Sequence, residues 1–128
     1  MTFIPVEPDG YAPPPVPYTP VVITGDLVVT AGHGPLTPAG EVVDGDFRAQ
    51  AHQVFVNLQA GLSAAGCTLA DVFKVNGYLA SLDDFAVYNE VYLEYFTAPL
   101  PARTTVEAGL WGIRAEVEAW ARRPPIPG

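Results

Sequence analysis

Apolar and polar positions along the chain follow two rhythms. Val21–Ile23 and Leu27–Ala31 are β-branched or apolar runs on either side of Thr24-Gly25-Asp26. A Gly-Asp pair between two such runs predicts a β-hairpin. Turn chemistry follows in Gly32-His33-Gly34-Pro35 and Pro38-Ala39-Gly40. The rhythm then lengthens: Phe47, Ala51, Val54, Leu58, Leu62 and Ala65 recur at helical steps, giving one apolar stripe. Asp44 or Asp46 is placed to cap this helix and Gly66 to end it. Alternation returns over Val72–Leu79, which predicts a strand with Phe73, Val75 and Leu79 on one face and Lys74, Asn76 and Tyr78 on the other. A second helix is predicted from about Asp83 to Phe96, where Ser81 and Asp84 resemble a capping box. Its buried side is aromatic (Phe85, Tyr88, Tyr92, Tyr95, Phe96), and Pro99 and Pro101 stop it. Strands at Arg103–Ala108 and Ile113–Ala121 close the series around a turn at Gly109–Gly112.

This order predicts an α+β fold. Two helices cannot cover both faces of such a sheet, so they are expected on one side. The last strand alternates Ile113, Ala115, Val117, Ala119 and Ala121 with Arg114, Glu116, Glu118 and Trp120. Carboxylates mixed with a large aromatic suit a subunit interface holding a polar pocket better than a plain solvent face, so an oligomer is expected. One domain spans residues 1–128. Within it, residues 1–17 form a Pro-rich arm, expected to be extended and irregular, and residues 122–128 a loose tail.

Composition narrows the function. With 49% hydrophobic and 16% charged residues, the chain has the balance of a globular domain. A net charge of −8, with six Lys and Arg in all, leaves no basic stripe for nucleic acid and disfavours an anionic membrane surface. The single Cys67 suits a reducing compartment, and no membrane span or secretory leader is legible, so a cytoplasmic protein is expected. No nucleophile elbow, P-loop, dinucleotide fingerprint, H-E-x-x-H or C-x-x-C occurs, and two histidines do not make a metal site. Neither a metal nor a cofactor is expected.

Three side chains remain as candidates. Arg103 opens a strand in Pro101-Ala102-Arg103-Thr104-Thr105-Val106-Glu107, where a guanidinium either forks onto a ligand carboxylate or joins a structural ion pair. Glu118 stands in a small, apolar strand beside Trp120; it is either an interface carboxylate or, with its pKa lifted by burial, a group for proton transfer with water. His33, in a glycine-flanked loop, is either solvated or reaches a pocket. His52 lies off the apolar stripe and is expected to be solvated.

These residues and their spacing resemble the Rid (YjgF) family. The resemblance lies in Tyr18-Thr19-Pro20-Val21-Val22, Val29-Thr30-Ala31-Gly32-His33-Gly34-Pro35-Leu36, Asp46–Ala51, Asp71–Val75 and Phe85–Tyr92. It is strongest in Pro101–Glu107 followed by Ala115-Glu116-Val117-Glu118-Ala119, and it covers Tyr18 to Ala121. It implies a fold like Bacillus chorismate mutase: a mixed six-stranded sheet with two helices on one face, the final strand lying inside the sheet. It also implies a homotrimer with pockets between subunits and cofactor-free hydrolysis of enamine and imine intermediates such as 2-aminoacrylate to 2-oxo acids. By the same resemblance Arg103 would clamp the substrate carboxylate near Gly32, Glu118 would activate water, and Tyr18 would line the pocket. Asn89 and Thr105 would contribute to binding. The chain departs from the family at Ala31, often Ser, at His33, usually Gln, and at Thr105, often Cys. His33 would then bring a proton-transfer group of its own.

Overall fold

The computed structural model describes residues 2–124. Six strands form one sheet in the order β1 (Ile4–Val6), β2 (Val21–Thr24), β3 (Leu27–Thr30), β6 (Ala115–Arg122), β4 (Val72–Leu79) and β5 (Ala102–Glu107). β4 and β5 run parallel and the other neighbours antiparallel, so the sheet is mixed and β6 lies inside it. Helices α1 (Phe47–Ala64) and α2 (Phe85–Tyr95) supply the α layer.

One face of the sheet carries the core. Val21, Val28, Val75, Leu79 and the alternate β6 residues Ala115, Val117, Ala119 and Ala121 are buried there against the α1 stripe of Ala51, Val54, Leu58 and Leu62. Phe55 joins the helices, its ring 5.1 Å from that of Tyr95 and 6.0 Å from those of Tyr88, Tyr92 and Phe96. Aromatic pairs at such spacings add to the area they bury. On the other face Glu116 and Glu118 are half-buried and Trp120 is exposed, as the alternation along β6 predicted.

The structure differs from the sequence reading at several points. The arm is not irregular throughout: β1 pairs with β2, setting Ile4 opposite Ile23 and Val6 opposite Val21. Pro5 is tolerated because β1 is an edge strand, where a missing amide donor leaves no gap in the ladder. Of the two candidate caps, Asp46 accepts from the Ala49 amide at 3.0 Å. α2 begins only at Phe85, after a 3₁₀ turn over Leu82–Asp84. Ser81 caps that turn, but Asp84 completes no capping box because its carboxylate takes the Arg114 guanidinium at 2.9 and 3.0 Å. The reciprocal box forms instead between Thr68 and Asp71. Phe73 is exposed, since a register shift between Val72 and Lys74 removes it from the alternation. Phe85 is 39% exposed and not part of the aromatic core. At the other end, Arg122 closes β6 and the Arg123 amide donates to the Asp26 carbonyl, so the tail is anchored at its start. Residues 125–128 lie outside the described residues.

Candidate functional site

Arg103 lies on edge strand β5, in register with Val75, and therefore on the helix-covered face. Phe85, Tyr88, Asn89 and Tyr92 follow at helical spacing and present one side of α2 to it. The guanidinium donates to Asn89 Oδ1 at 2.6 Å. It lies 4.9 Å from the Tyr92 ring centre, 5.4 Å from that of Tyr88 and 5.5 Å from that of Phe85, within cation–π range. Arg48, Arg114 and Arg122 are paired with Glu90, Asp84 and Asp26. Among the described residues Arg103 has no acidic partner, although the chain carries fourteen Asp and Glu.

A cavity of about 350 Å³ opens beside it, lined by Asn89, Tyr92, Leu93, Leu100, Pro101 and Arg103. Three buried hydroxyls in this region, of Tyr88, Tyr92 and Thr105, have no hydrogen-bond partner among the described residues. Thr105 pairs in register with Gly77, and the Tyr88 hydroxyl occupies the space that a side chain at Gly77 would fill. Burial pushes the Tyr88 and Tyr92 hydroxyls upward in pKa, with the Arg103 charge opposing it. Buried polar atoms without partners carry a desolvation cost that a bound polar molecule would relieve.

Glu118 sits on the opposite face, opposite Asn76 of β4. Tyr78 donates its hydroxyl to Glu118 Oε1, and this bond, with burial and the Glu118 and Glu116 charges, pushes the Tyr78 pKa up to about 12. The phenol thus stays protonated at neutral pH and holds one carboxylate oxygen. Glu116, two residues earlier, has its pKa raised by burial and then by the Glu118 charge. Its carboxyl group packs against Gly32, where an added Cβ would come within 2.7 Å of Glu116 Cδ.

Tyr18, Gly32 and His33 line a third place, a cavity of about 560 Å³ between the N-terminal arm and the loop after β3. The His33 backbone pairs with Val117 in both directions, at 2.8 and 3.0 Å, which ties this loop to β6. Its Nδ1 lies 2.8 Å from the Ala31 carbonyl. A carbonyl only accepts, so Nδ1 carries the proton and Nε2 is the lone-pair nitrogen of the neutral ring. Burial lowers the His33 pKa against that bond, so the ring is neutral at neutral pH. The ring rests against Gly61 of α1, where a Cβ would lie 3.1 Å from Nε2. Burial and the Glu116 charge raise the Tyr18 pKa.

The seven residues singled out from sequence therefore fall in three places within one chain. Arg103, Asn89 and Thr105 share the α2–β5 edge, Glu118 stands on the open face, and Tyr18, Gly32 and His33 share the arm cavity. Tyr78, Glu116 and the Tyr88 and Tyr92 hydroxyls were missed; the alternation of β4 and β6 carried the first two, once β4 and β6 are known to pair. His52 is not merely solvated, since Nδ1 lies 3.0 Å from the Tyr95 hydroxyl and Nε2 3.3 Å from Glu94.

A family profile described as Endoribonuclease L-PSP matches residues 10–122. The chain belongs to the Rid (YjgF) family. It is 47% identical over 98 residues to a RutC family protein of Pyrococcus horikoshii, covering 75% of this chain and 78% of the relative. It is 38% identical over 109 residues to the 2-iminobutanoate/2-iminopropanoate deaminase of Dermatophagoides farinae, covering 84% and 85%. Among solved structures, E. coli TdcF with bound serine superposes with a TM-score of 0.85 at 31% identity, over 94% of this chain and 99% of that one. Within this Rid-family chain the described residues include no helix long and apolar enough to cross a membrane.

Proposed function

We propose that this protein hydrolyses small 2-imino and 2-enamino acids to 2-oxo acids and ammonia. The observation that carries the reading is Arg103: a half-buried guanidinium, fixed by Asn89 and three aromatic rings, with no acid to neutralise it among the described residues. Such a fork is prepared for a carboxylate supplied from outside. The mite relative named as a 2-iminobutanoate/2-iminopropanoate deaminase supports the substrate class, and TdcF with serine supports a small amino-acid-like ligand.

Arg103 and Glu118 leave opposite faces of the sheet, so a site using both needs two chains. In our reading the protein is a homotrimer, and edge strand β5 of one subunit lies against the open face of the next. Substrate held on Arg103 then meets Glu118 of the partner subunit. The exposed Trp120 and Val106 and the half-buried carboxylates of the uncovered face support such an arrangement. Glu118, steadied by Tyr78, takes a proton from water as its oxygen attacks the imine carbon. Glu118 returns that proton to nitrogen to give a carbinolamine, then relays the hydroxyl proton to nitrogen. The C–N bond breaks as the C=O bond forms, and ammonia and the 2-oxo acid are released. An imine is already electrophilic, so orientation and one proton shuttle suffice, and the step as written needs no metal or cofactor.

An RNA-cleaving reading, suggested by the wording of the family profile, is opposed by the net charge of −8 and by Glu116 and Glu118 on the open face. The lone buried Cys67 supports a reducing compartment such as the cytoplasm.

The test generates 2-iminopropanoate in situ with an amino-acid oxidase and follows its decay. The wild type is expected to accelerate release of pyruvate, and Arg103→Ala to lower kcat/KM by about 10- to 100-fold, the worth of a charge-assisted hydrogen bond. Turnover that persists in Arg103→Ala, or a monomer in sedimentation, overturns the reading.

A further inference from the structure

The larger cavity has a wall that the catalytic reading does not use. Its polar end is Tyr18, Gly32 and His33, which adjoin the open face where the Glu116 carboxyl packs on Gly32; the N-terminal arm supplies much of the rest. Pro13, Pro14, Pro15 and Tyr11 come from the arm, and Leu36 and Ala39 face them from the loop. The arm is fastened at two points, by β1 pairing with β2 and by the Ala12 amide donating to the Pro38 carbonyl at 2.8 Å. Pro13, Pro14 and Pro15 follow the second anchor directly and fix the backbone on the way to β2, so the wall is formed in advance and ordering it costs little on binding.

We propose that this arm cavity is the side-chain pocket of the substrate site, and that it selects imino acids with a bulky apolar, preferably aromatic, side chain. The inference rests on the deaminase reading and goes beyond it to specificity. About 560 Å³ is far more than the methyl or ethyl group of 2-iminopropanoate or 2-iminobutanoate requires, and lies in the range that holds drug-sized ligands. Proline and tyrosine rings offer flat apolar surfaces on which an aromatic ring packs with large area burial. Glu7 also lines the cavity, and Glu116 lies against Gly32, so a second carboxylate on the substrate would be repelled. The neutral His33 ring adds no cation to offset them. The predicted substrate is thus a monocarboxylate whose acid end goes to Arg103 of one subunit and whose ring goes under the arm of the next.

Two measurements test this independently of each other. In the first, kcat/KM is compared for imines generated from L-phenylalanine and from L-alanine, in the wild type and in Ala39→Trp, which fills the pocket from an exposed turn position. The phenylalanine-to-alanine ratio is expected to fall by about tenfold or more, the scale on which apolar pockets discriminate. In the second, equilibrium dialysis compares the unreactive probes 3-phenylpropanoate and propanoate. The aromatic probe is expected to bind the wild type more tightly and to lose that advantage in both Ala39→Trp and Tyr11→Ala. A ratio that Ala39→Trp does not move, or equal binding of the two probes, overturns the pocket while leaving deamination standing. Aromatic-probe binding that responds to both variants without turnover of any imine supports the pocket and sinks the deaminase reading instead.

Discussion

The two faces of β6 are built from neighbouring residues under opposite rules. Ala115, Val117, Ala119 and Ala121 are fully buried against the helices, small and without polar atoms. Glu116, Glu118 and Trp120, one position over each time, keep two carboxylates and a large aromatic on a face that, among the described residues, no helix covers. Close packing punishes any change of volume on the first face. The second tolerates groups that a core would reject, because its hydrogen bonds run to Tyr78 and its carboxylates keep some contact with water. Stability is therefore held on one side of the strand and, on the proposed function, chemistry on the other, with 180° alternation separating them.

Substitutions sharpen that contrast. The largest expected effect is Glu118→Gln, which should lower imine hydrolysis by about 10²–10⁴-fold, the range for losing a general base, while the denaturation midpoint stays near the wild type. A large loss of stability with unchanged turnover would reverse the assignment of the faces. On the helix side, Gly77→Ala places a Cβ 2.5 Å from the Tyr88 hydroxyl and 3.1 Å from its Cζ, and Tyr88 is fully buried. Overpacking of this kind costs about 1–3 kcal/mol, to be read from urea unfolding. An unshifted midpoint would mean that the Tyr88 ring is not fixed.

The smallest effect is in pH. Burial raises the Glu116 pKa in the folded state, so its contribution to stability is present below the ordinary carboxylate pKa and is lost as pH rises through the raised value. Glu116→Gln, neutral at every pH, is then expected to be more stable than the wild type near neutrality, with the gap closing on acidification. Parallel stability–pH curves for the two proteins would remove Glu116 from the buried groups.

Much of this was legible in the sequence because period and punctuation are local. The hairpin around Gly25, the α1 stripe, the span of β4 and the two-faced β6 each follow from residues within a few positions of one another. What depended on distant partners was not legible. Pro5 argued against a strand until an edge position made it harmless. Asp84 looked like a cap until Arg114, thirty residues away, claimed it. Arg103 and Glu118 were both recognised as candidates, but their placement on opposite faces required knowing that β4 lies between their strands. The unpartnered hydroxyls of Tyr88 and Tyr92 looked like core aromatics, since nothing in a helical stripe reports whether a phenol finds an acceptor.

The berth that Gly61 leaves for His33 has a practical corollary. In the middle of a helix an alanine outperforms a glycine by about 1 kcal/mol, so a stabilising redesign would change this position first. Here the added methyl would lie 3.1 Å from both His33 Nε2 and Val21 Cγ2, so the imidazole must give by a few tenths of an ångström while its backbone stays tied to Val117 of β6. The usual gain from alanine is thus offset at this position, and residues 33 and 61 are best varied together.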